Sequence, residues 1–277
     1  MVTKIIACAD IHFKNLQGID ELKEVLETFF KQCEDIIKDE ESPDNVRIVV
    51  AGDIFDSKIS ITNEANIAVD WFLKKLNNLC KTIVIAGNHD MAINNMQRVD
   101  SLSAIFQIGN YENVIYLDKE LEYGSGCYND DNITWCLYSS FSGFSTPDII
   151  SNKIKYDKNT YIGLIHGEVN GAVTTTDHVT ENSLDANIFK DCDFVIAGHI
   201  HKRQEIKKNG VKVVYCSSIT QKNLGETVLG HGFVLIDVDF DLTYKFVDVD
   251  NPDGGYYKFK INSIDDIDND MEELVNY

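Results

Sequence analysis

Apolar residues recur at two spacings along this chain, and the switch between them outlines an architecture. Residues 4–9 form a short apolar strand. Over residues 20–38, Leu22, Val25, Leu26, Phe29, Phe30, Cys33, Ile36 and Ile37 fall on one face at helical spacing. Residues 46–51 are a second, β-branched run. Helical spacing returns over 63–79 through Ile67, Trp71, Leu73 and Leu76, and residues 82–86 make a third strand. This βαβαβ order predicts a parallel sheet with right-handed crossovers.

Beyond Phe106 short strands dominate, at 114–117, 133–138, 161–165, 194–197, 211–216, 233–238 and 244–249. Gly124-Ser125-Gly126 and Asn209-Gly210 read as turns, the second as a hairpin signal. A parallel half followed by a mixed half predicts an α/β fold in which two mixed β-sheets pack face to face between helices. The breaker cluster Asn251-Pro252-Asp253-Gly254-Gly255 separates a domain over residues 1–250 from an acidic extension over 251–277. In that extension Ile264, Ile267, Met271, Leu274 and Val275 recur at helix-like spacing. It reads as a terminal helix on its own domain, with a partner-docking or truncated accessory segment as the alternative.

Bulk composition removes several classes. A chain of 277 residues can bury one substantial core without needing a second. No apolar run approaches the roughly 18 residues of a membrane span, and residues 1–6 lack the layout of a secretory signal. Seven scattered cysteines with no Cys-x-x-Cys pair disfavour a disulfide framework or a zinc ribbon and point to reduced thiols in the cytoplasm. The net charge of −20 opposes non-specific phosphate binding, so a partner chain, bound metals or a local basic strip must carry any contact with DNA.

The chemistry lies where strands end. Asp10-Ile11-His12 follows the first strand, and alternation along an extended segment turns both side chains to one side. Gly52-Asp53-Ile54-Phe55-Asp56 closes the second strand and Gly87-Asn88-His89-Asp90 the third. In both, glycine permits a tight turn and close approach. In the later half, one strand runs into His166-Gly167 and another into Gly198-His199-Ile200-His201. Open α/β sheets place their sites at such carboxyl ends. Asp, His and Asn without cysteine suit Mn²⁺, Fe²⁺, Zn²⁺ or Mg²⁺ in a hydrolytic pair, in which a carboxylate bridges the two cations and the hydroxide they share attacks phosphorus. His178, in a Thr-rich loop, and His231, between two glycines, read as plain surface residues. Lys14, Lys58, Lys202 and Arg203 flank the motif loops and are candidate phosphate-backbone contacts.

Asp-x-His, Gly-Asp-x-x-Asp, Gly-Asn-His-Asp, a lone His-Gly and Gly-His-x-His, in that order over residues 5 to about 240, resemble the calcineurin-like metallophosphoesterase superfamily. Residues 52–62, the run His166-Gly167-Glu168-Val169-Asn170-Gly171, and Val214-Tyr215-Cys216-Ser217-Ser218 followed by Gly232-Phe233 resemble SbcD-type DNA repair and recombination nucleases, including the phage type. The resemblance implies a four-layer α-β-β-α fold and two divalent metals, Mn²⁺ foremost. One metal falls to Asp10, His12, Asp53 and His201, and the other to Asp53, Asn88, His166 and His199. It makes His89 the residue that contacts the scissile phosphate and protonates the leaving oxygen, with Asp90 orienting it. Asp56 either holds His89 or shapes its loop. Asp56, Lys58, Lys202 and Arg203 are the substrate-contact candidates. The expected function is a DNA exonuclease and endonuclease subunit, with an SbcC-like coiled-coil ATPase and a second copy of the chain as partners, no membrane, and action in the cytoplasm, the host's if phage-encoded. Hydrolysis of nucleotides or other small phosphoesters is the alternative, and a non-catalytic scaffold is a third reading. The protein-phosphatase branch resembles Gly-Asp-x-Val-Asp-Arg-Gly and Gly-Asn-His-Glu, whereas Ser57-Lys58 and Asp90 stand here.

Overall fold

The structure, a computed structural model, describes residues 1–92, 98–156, 158–238, 241–251 and 254–256. Three strands, β1 (Lys4–Cys8), β2 (Val46–Ala51) and β3 (Thr82–Ile85), alternate with helices α1 (Ile19–Lys38) and α2 (Asn63–Leu79). Helix α3 (Ser101–Ile108) leads to β4 (Val114–Tyr116) and the single turn α4 (Leu117–Glu120). Strands β5 (Gly126–Asp130) and β6 (Ile133–Tyr138), helix α5 (Ile149–Lys155), and strands β7 (Thr160–His166) and β8 (Phe194–Gly198) follow. The described chain closes with β9 (Gln204–Lys208), β10 (Val211–Tyr215), β11 (Gly232–Asp237) and β12 (Thr243–Asp248).

Two six-stranded mixed sheets result, ordered β12-β11-β1-β2-β3-β4 and β5-β6-β7-β8-β10-β9. The predicted fold class is the observed one. Membership departs from a simple split into halves, because β4, β11 and β12 return to the first sheet. Strands β1 to β4 run parallel, as do β6, β7, β8 and β10, so five strands that carry motifs aim their carboxyl ends at one edge. The β9–β10 hairpin turns at Asn209 (φ 52°) and Gly210 (φ 83°), the positive pair that a type I′ turn requires.

Period-two alternation divides the core. On β1, Ile5 and Ala7 face the second sheet and pack with Trp135, Leu164 and Ile196, while Ile6 and Cys8 face α1 and α2. Helix α2 buries Ala65, Ala68, Val69, Phe72, Leu73 and Leu76 at three- and four-residue steps. Ile67 falls off that stripe and is 65% exposed, unlike the apolar face read for it. The far side of the second sheet buries Tyr138 and Tyr161 under α5 and the 3-10 turn Ala186–Phe189, whose Phe189 ring lies 4.6 Å from that of Tyr138. Most of the acidic extension lies outside the described residues, its helix-like spacing included.

A buried ion pair ties the sheets together away from the motif edge. Arg47 on β2 donates from Nε and Nη2 to Asp130 on β5 at 2.7 and 3.1 Å, and Lys81 and Trp135 donate to the same carboxylate. Burial works to raise the Asp130 pKa, but the hydrogen bonds from Arg47 and Lys81 win and hold it at about 2, below its ordinary 3.8. Asp130→Ala leaves a buried guanidinium uncompensated and is expected to cost about 3–5 kcal/mol in urea unfolding. Because the folded pKa is depressed, the pair's stabilisation is complete above the unfolded value and is lost as pH falls toward 2. Wild type is expected to lose about 2 kcal/mol over that window. An Asp130→Ala variant as stable as wild type at pH 7, or one with the same acid sensitivity, refutes this.

Candidate metal centre

The loops after β1, β2, β3, β7 and β8 converge where the two sheets meet. The first supplies Asp10 and His12, the second Asp53, and the third Asn88 and His89. His166 is the last residue of β7, and His199 and His201 follow β8. The reading of extended segments fails locally: Asp10 (φ 56°), His12 (φ 50°), Asp53 (φ 53°) and His199 (φ 92°) are all left-handed. Each such backbone costs about 1 kcal/mol or more and persists only where neighbours over-determine it. Here the amides of Asp10 and His12 bond the carbonyls of Gly52 and Asp53 at 3.0 Å, and the His199 amide donates to both Asp10 oxygens at 3.1 Å. These turns, rather than strand alternation, bring side chains from two sheets to one point.

Two donor sets result. Asp10 Oδ1, His12 Nε2 and His201 Nε2 lie 3.2, 3.7 and 4.0 Å from one another. In the second set, His166 Nε2 is 3.2 Å from both Asp53 Oδ2 and Asn88 Oδ1, and His199 Nδ1 is 2.9 Å from that same Asn88 oxygen. Asp53 Oδ2 is also 3.6 Å from His12 Nε2, so its carboxylate stands between the sets. Tetrahedral ligands at about 2.0–2.1 Å from a cation are roughly 3.3 Å apart, and these spacings fit. A further grouping of His12, Asp53 and His89 is close enough to admit His89 as a ligand as well.

Outer contacts aim the rings. His166 Nδ1 donates to the Ala51 carbonyl at 2.8 Å, which leaves Nε2 for the centre. His201 Nδ1 meets Glu226 Oε1 at 2.8 Å with the same consequence. Two motif glycines make room: a Cβ on Gly52 (φ 88°) would fall 2.4 Å from His166 Nδ1, and one on Gly87 would fall 2.1 Å from Asp53 Oδ1.

Residues 3–203, well over half the chain, match the calcineurin-like phosphoesterase family. The chain belongs to the calcineurin-like phosphoesterase family. Phosphoester hydrolysis with divalent metals is that family's chemistry, and the converging Asp, His and Asn donors suit it. Among similar proteins, an uncharacterized protein of Acanthamoeba polyphaga mimivirus is 34% identical over 260 residues, covering 91% of this chain and 18% of that protein. An SbcCD nuclease subunit from Staphylococcus epidermidis is 27% identical over 270 residues, covering 85% of this chain and 66% of its own. This phosphoesterase therefore spans about a fifth of the first relative and just under two thirds of the second. A dimetal phosphatase from Danio rerio shares the fold, with a TM-score of 0.52 at 12% identity over 88% of this chain and 95% of that one.

Electrostatics at the phosphoesterase centre favour cation binding. Burial depresses His12 to about 2 and, with the nearby His166, His199 to about 4, so both rings are neutral as ligands must be. Burial alone would also lower His166, but the Asp53 charge and hydrogen bond raise it to about 9. A cation on Nε2 would take the place of that proton. Burial lifts Asp10 to about 6, a cost that a bound cation would offset.

The orienting role expected of Asp90 is not what the contacts show. Its carboxylate accepts from the amides of Ile54, Phe55 and Gly87 at 3.3, 2.9 and 2.9 Å, tying two motif loops together. The His89 ring is held instead by Nδ1 against the Asp56 carbonyl, and the His89 amide donates to Asp53 Oδ1 at 2.7 Å. The Asp56 side chain lies 3.6 Å from His12 Nδ1, a buried atom with no hydrogen bond among the described residues.

The expected basic contacts stand away from the centre. Lys202 pairs with Asp177, Arg203 pairs with Asp248, and Lys58 is exposed outside the hollow above the donors. His178 is exposed, as expected. His231 is buried, bonded to Ser218 Oγ at 3.0 Å and the Thr227 carbonyl at 2.7 Å, so its surface reading fails and it braces the loop after β10. That loop also carries three residues the sequence reading missed. Glu226 orients His201, and Lys222 and Asn223 line the hollow. A ligand histidine requires an outer acceptor, but nothing in the spacing singles out a glutamate 25 residues further along.

Proposed function

We propose that the protein is a DNA exonuclease and endonuclease subunit of double-strand-break repair or recombination, hydrolysing phosphodiesters at a centre built for two divalent cations, Mn²⁺ foremost. The observation that carries the two-cation reading is the Asp53 carboxylate standing between two donor sets, 3.6 Å from His12 Nε2 and 3.2 Å from His166 Nε2. The step to DNA is supported by the 27% identity with a nuclease subunit over 85% of this chain. When bound, the cations supply Lewis acidity and lower the pKa of water.

The chain's own residues do the rest. The two sets fix where phosphoryl oxygens can sit, and Asp53, held by the His89 amide at 2.7 Å, sets the distance between them. With Nδ1 turned to the Asp56 carbonyl, the other edge of His89 can carry a proton to a leaving oxygen in the hollow. An SbcC-like coiled-coil ATPase partner and a homodimer belong to the same proposal, and the relative's being a subunit supports a multi-chain setting. Seven free cysteines support a reducing compartment such as the cytoplasm.

The net charge of −20 favours a second reading, a phosphodiesterase or phosphatase for nucleotides or other small phosphoesters. A direct comparison with Mn²⁺ decides between them. Degradation of single-stranded or unpaired-end DNA is expected. Turnover of cyclic nucleotides or bis(p-nitrophenyl) phosphate with DNA left intact overturns the nuclease reading.

A further inference from the structure

A cleft of about 360 Å³ runs away from the metal centre and shares His12 and Lys222 with the hollow above the donors. Its walls are the segment after His12, the start of α1, the loop after β10, and residues 254–256. Gln221 fixes the last wall: its Oε1 accepts from the Tyr256 amide at 2.6 Å and its Nε2 donates to the Tyr256 carbonyl at 3.1 Å. Tyr256 is thereby held at the rim with 56% of its surface exposed.

The charge in this cleft runs against that of the whole chain. Among the described residues its lining has Lys14 and Lys222 against one carboxylate, Glu21, in a protein of net charge −20. Among the described residues Lys222 is the one Lys or Arg in the lining of the hollow, where Lys58, Lys202 and Arg203 are absent. Among the described residues it makes no ion pair, and its Nζ donates to the Ile11 carbonyl. An ammonium has three donors, so two remain for a ligand. The lining also includes the apolar Leu22 and Val25 and the aromatic Tyr256, residues suited to a base rather than to a second phosphate alone.

Resting on the nuclease reading above, we infer that this cleft is a polynucleotide subsite, in which Lys222 and Lys14 hold the phosphates adjoining the scissile one and Tyr256 receives a base. The substrate class is then a single-stranded nucleic-acid end with several phosphates, rather than a lone nucleotide or a generic diester.

The test uses the full chain with Mn²⁺ and two substrates, a labelled single-stranded decanucleotide and bis(p-nitrophenyl) phosphate, whose single phosphate is the scissile one and leaves none for the cleft. Lys222→Gln is expected to lower the ratio of kcat/KM for oligonucleotide over small diester by about tenfold. The slope of log kcat/KM for the oligonucleotide against log salt is expected to become shallower by about 0.7 per lysine lost. Lys222→Arg restores the ratio. Lys14→Gln, at an exposed side chain, gives the same direction of change and keeps the test decisive if Lys222→Gln fails to fold. A wild-type protein that cleaves DNA while both glutamine variants keep its ratio and salt slope overturns the cleft alone. A wild-type protein that turns over only the small diester overturns the nuclease reading and the cleft with it.

Discussion

Asp53→Ala is expected to remove cation binding at both donor sets and to lower phosphoester hydrolysis by about 10³-fold or more, some 4 kcal/mol of barrier. Asp53 Oδ2 lies within 3.6 Å of a ring from each set, while Oδ1 accepts the His89 amide. Its loss therefore leaves the imidazoles of two sheets without a common anion and frees the loop that carries His89. The residue also sits at φ 53°, a backbone maintained by the surrounding contacts, so alanine there adds strain as well. Metal content measured on the folded variant, beside its rate on bis(p-nitrophenyl) phosphate, separates the effects. Asp53→Asn keeps the shape and the amide contact but removes the charge, and is expected to lose cations too. Retention of two cations per chain by either folded variant would sink the bridging assignment.

Much of this centre is legible in the sequence because its ligands follow strands that are themselves easy to read. β1, β2, β3, β7 and β8 are short apolar runs buried throughout or nearly so, and each ends in a polar motif whose position in chain order marks the site edge. The strands that escape notice, β5 (GCYND) and β9 (QEIKK), are sheet edges. One partner strand is enough to hold them, so neither alternation nor apolar content need be strong. The left-handed turns at Asp10, His12, Asp53 and His199 are illegible for a different reason. Their conformation is imposed by hydrogen bonds between residues far apart in sequence, such as Asp10 with Gly52 and with His199, not by local propensity.

The same distinction explains the reassigned residues. Asp90 stands beside His89 in sequence, yet its carboxylate turns to the amides of the Gly52–Asp56 loop, and the carbonyl of Asp56 takes the ring. Buried and close to Asp53, Asp90 is pushed up to about 7, with amide bonds from Phe55 and Gly87 opposing the rise. Lys202 and Arg203 follow Gly-His-x-His directly but are occupied by Asp177 and Asp248, whereas Lys222, remote from every motif, reaches the hollow. Spacing along the chain locates ligands fixed to strand ends. It does not locate side chains that arrive from a long loop.

On the nuclease reading proposed above, His89→Asn is expected to leave both cations in place and to slow DNA cleavage by about 10²–10⁴-fold, the range for loss of a positioned proton donor. Asparagine keeps the backbone amide that bonds Asp53 but cannot deliver a proton to the departing oxygen. The loss is therefore expected to depend on the leaving group. A deoxyribose oxygen requires protonation as it departs, whereas p-nitrophenolate leaves readily as an anion. The variant is expected to fall far less on bis(p-nitrophenyl) phosphate than on an oligonucleotide. This pattern also tests the competing use of His89 as a ligand, since its ring groups with His12 and Asp53 closely enough to join them. A ligand role predicts weaker cation binding and equal losses on both substrates, because the ground state would be damaged whatever group departs. A donor role leaves the cation titration unchanged and splits the two substrates apart. Equal losses with depleted metal would remove His89 from proton transfer and add it to the set around Asp53.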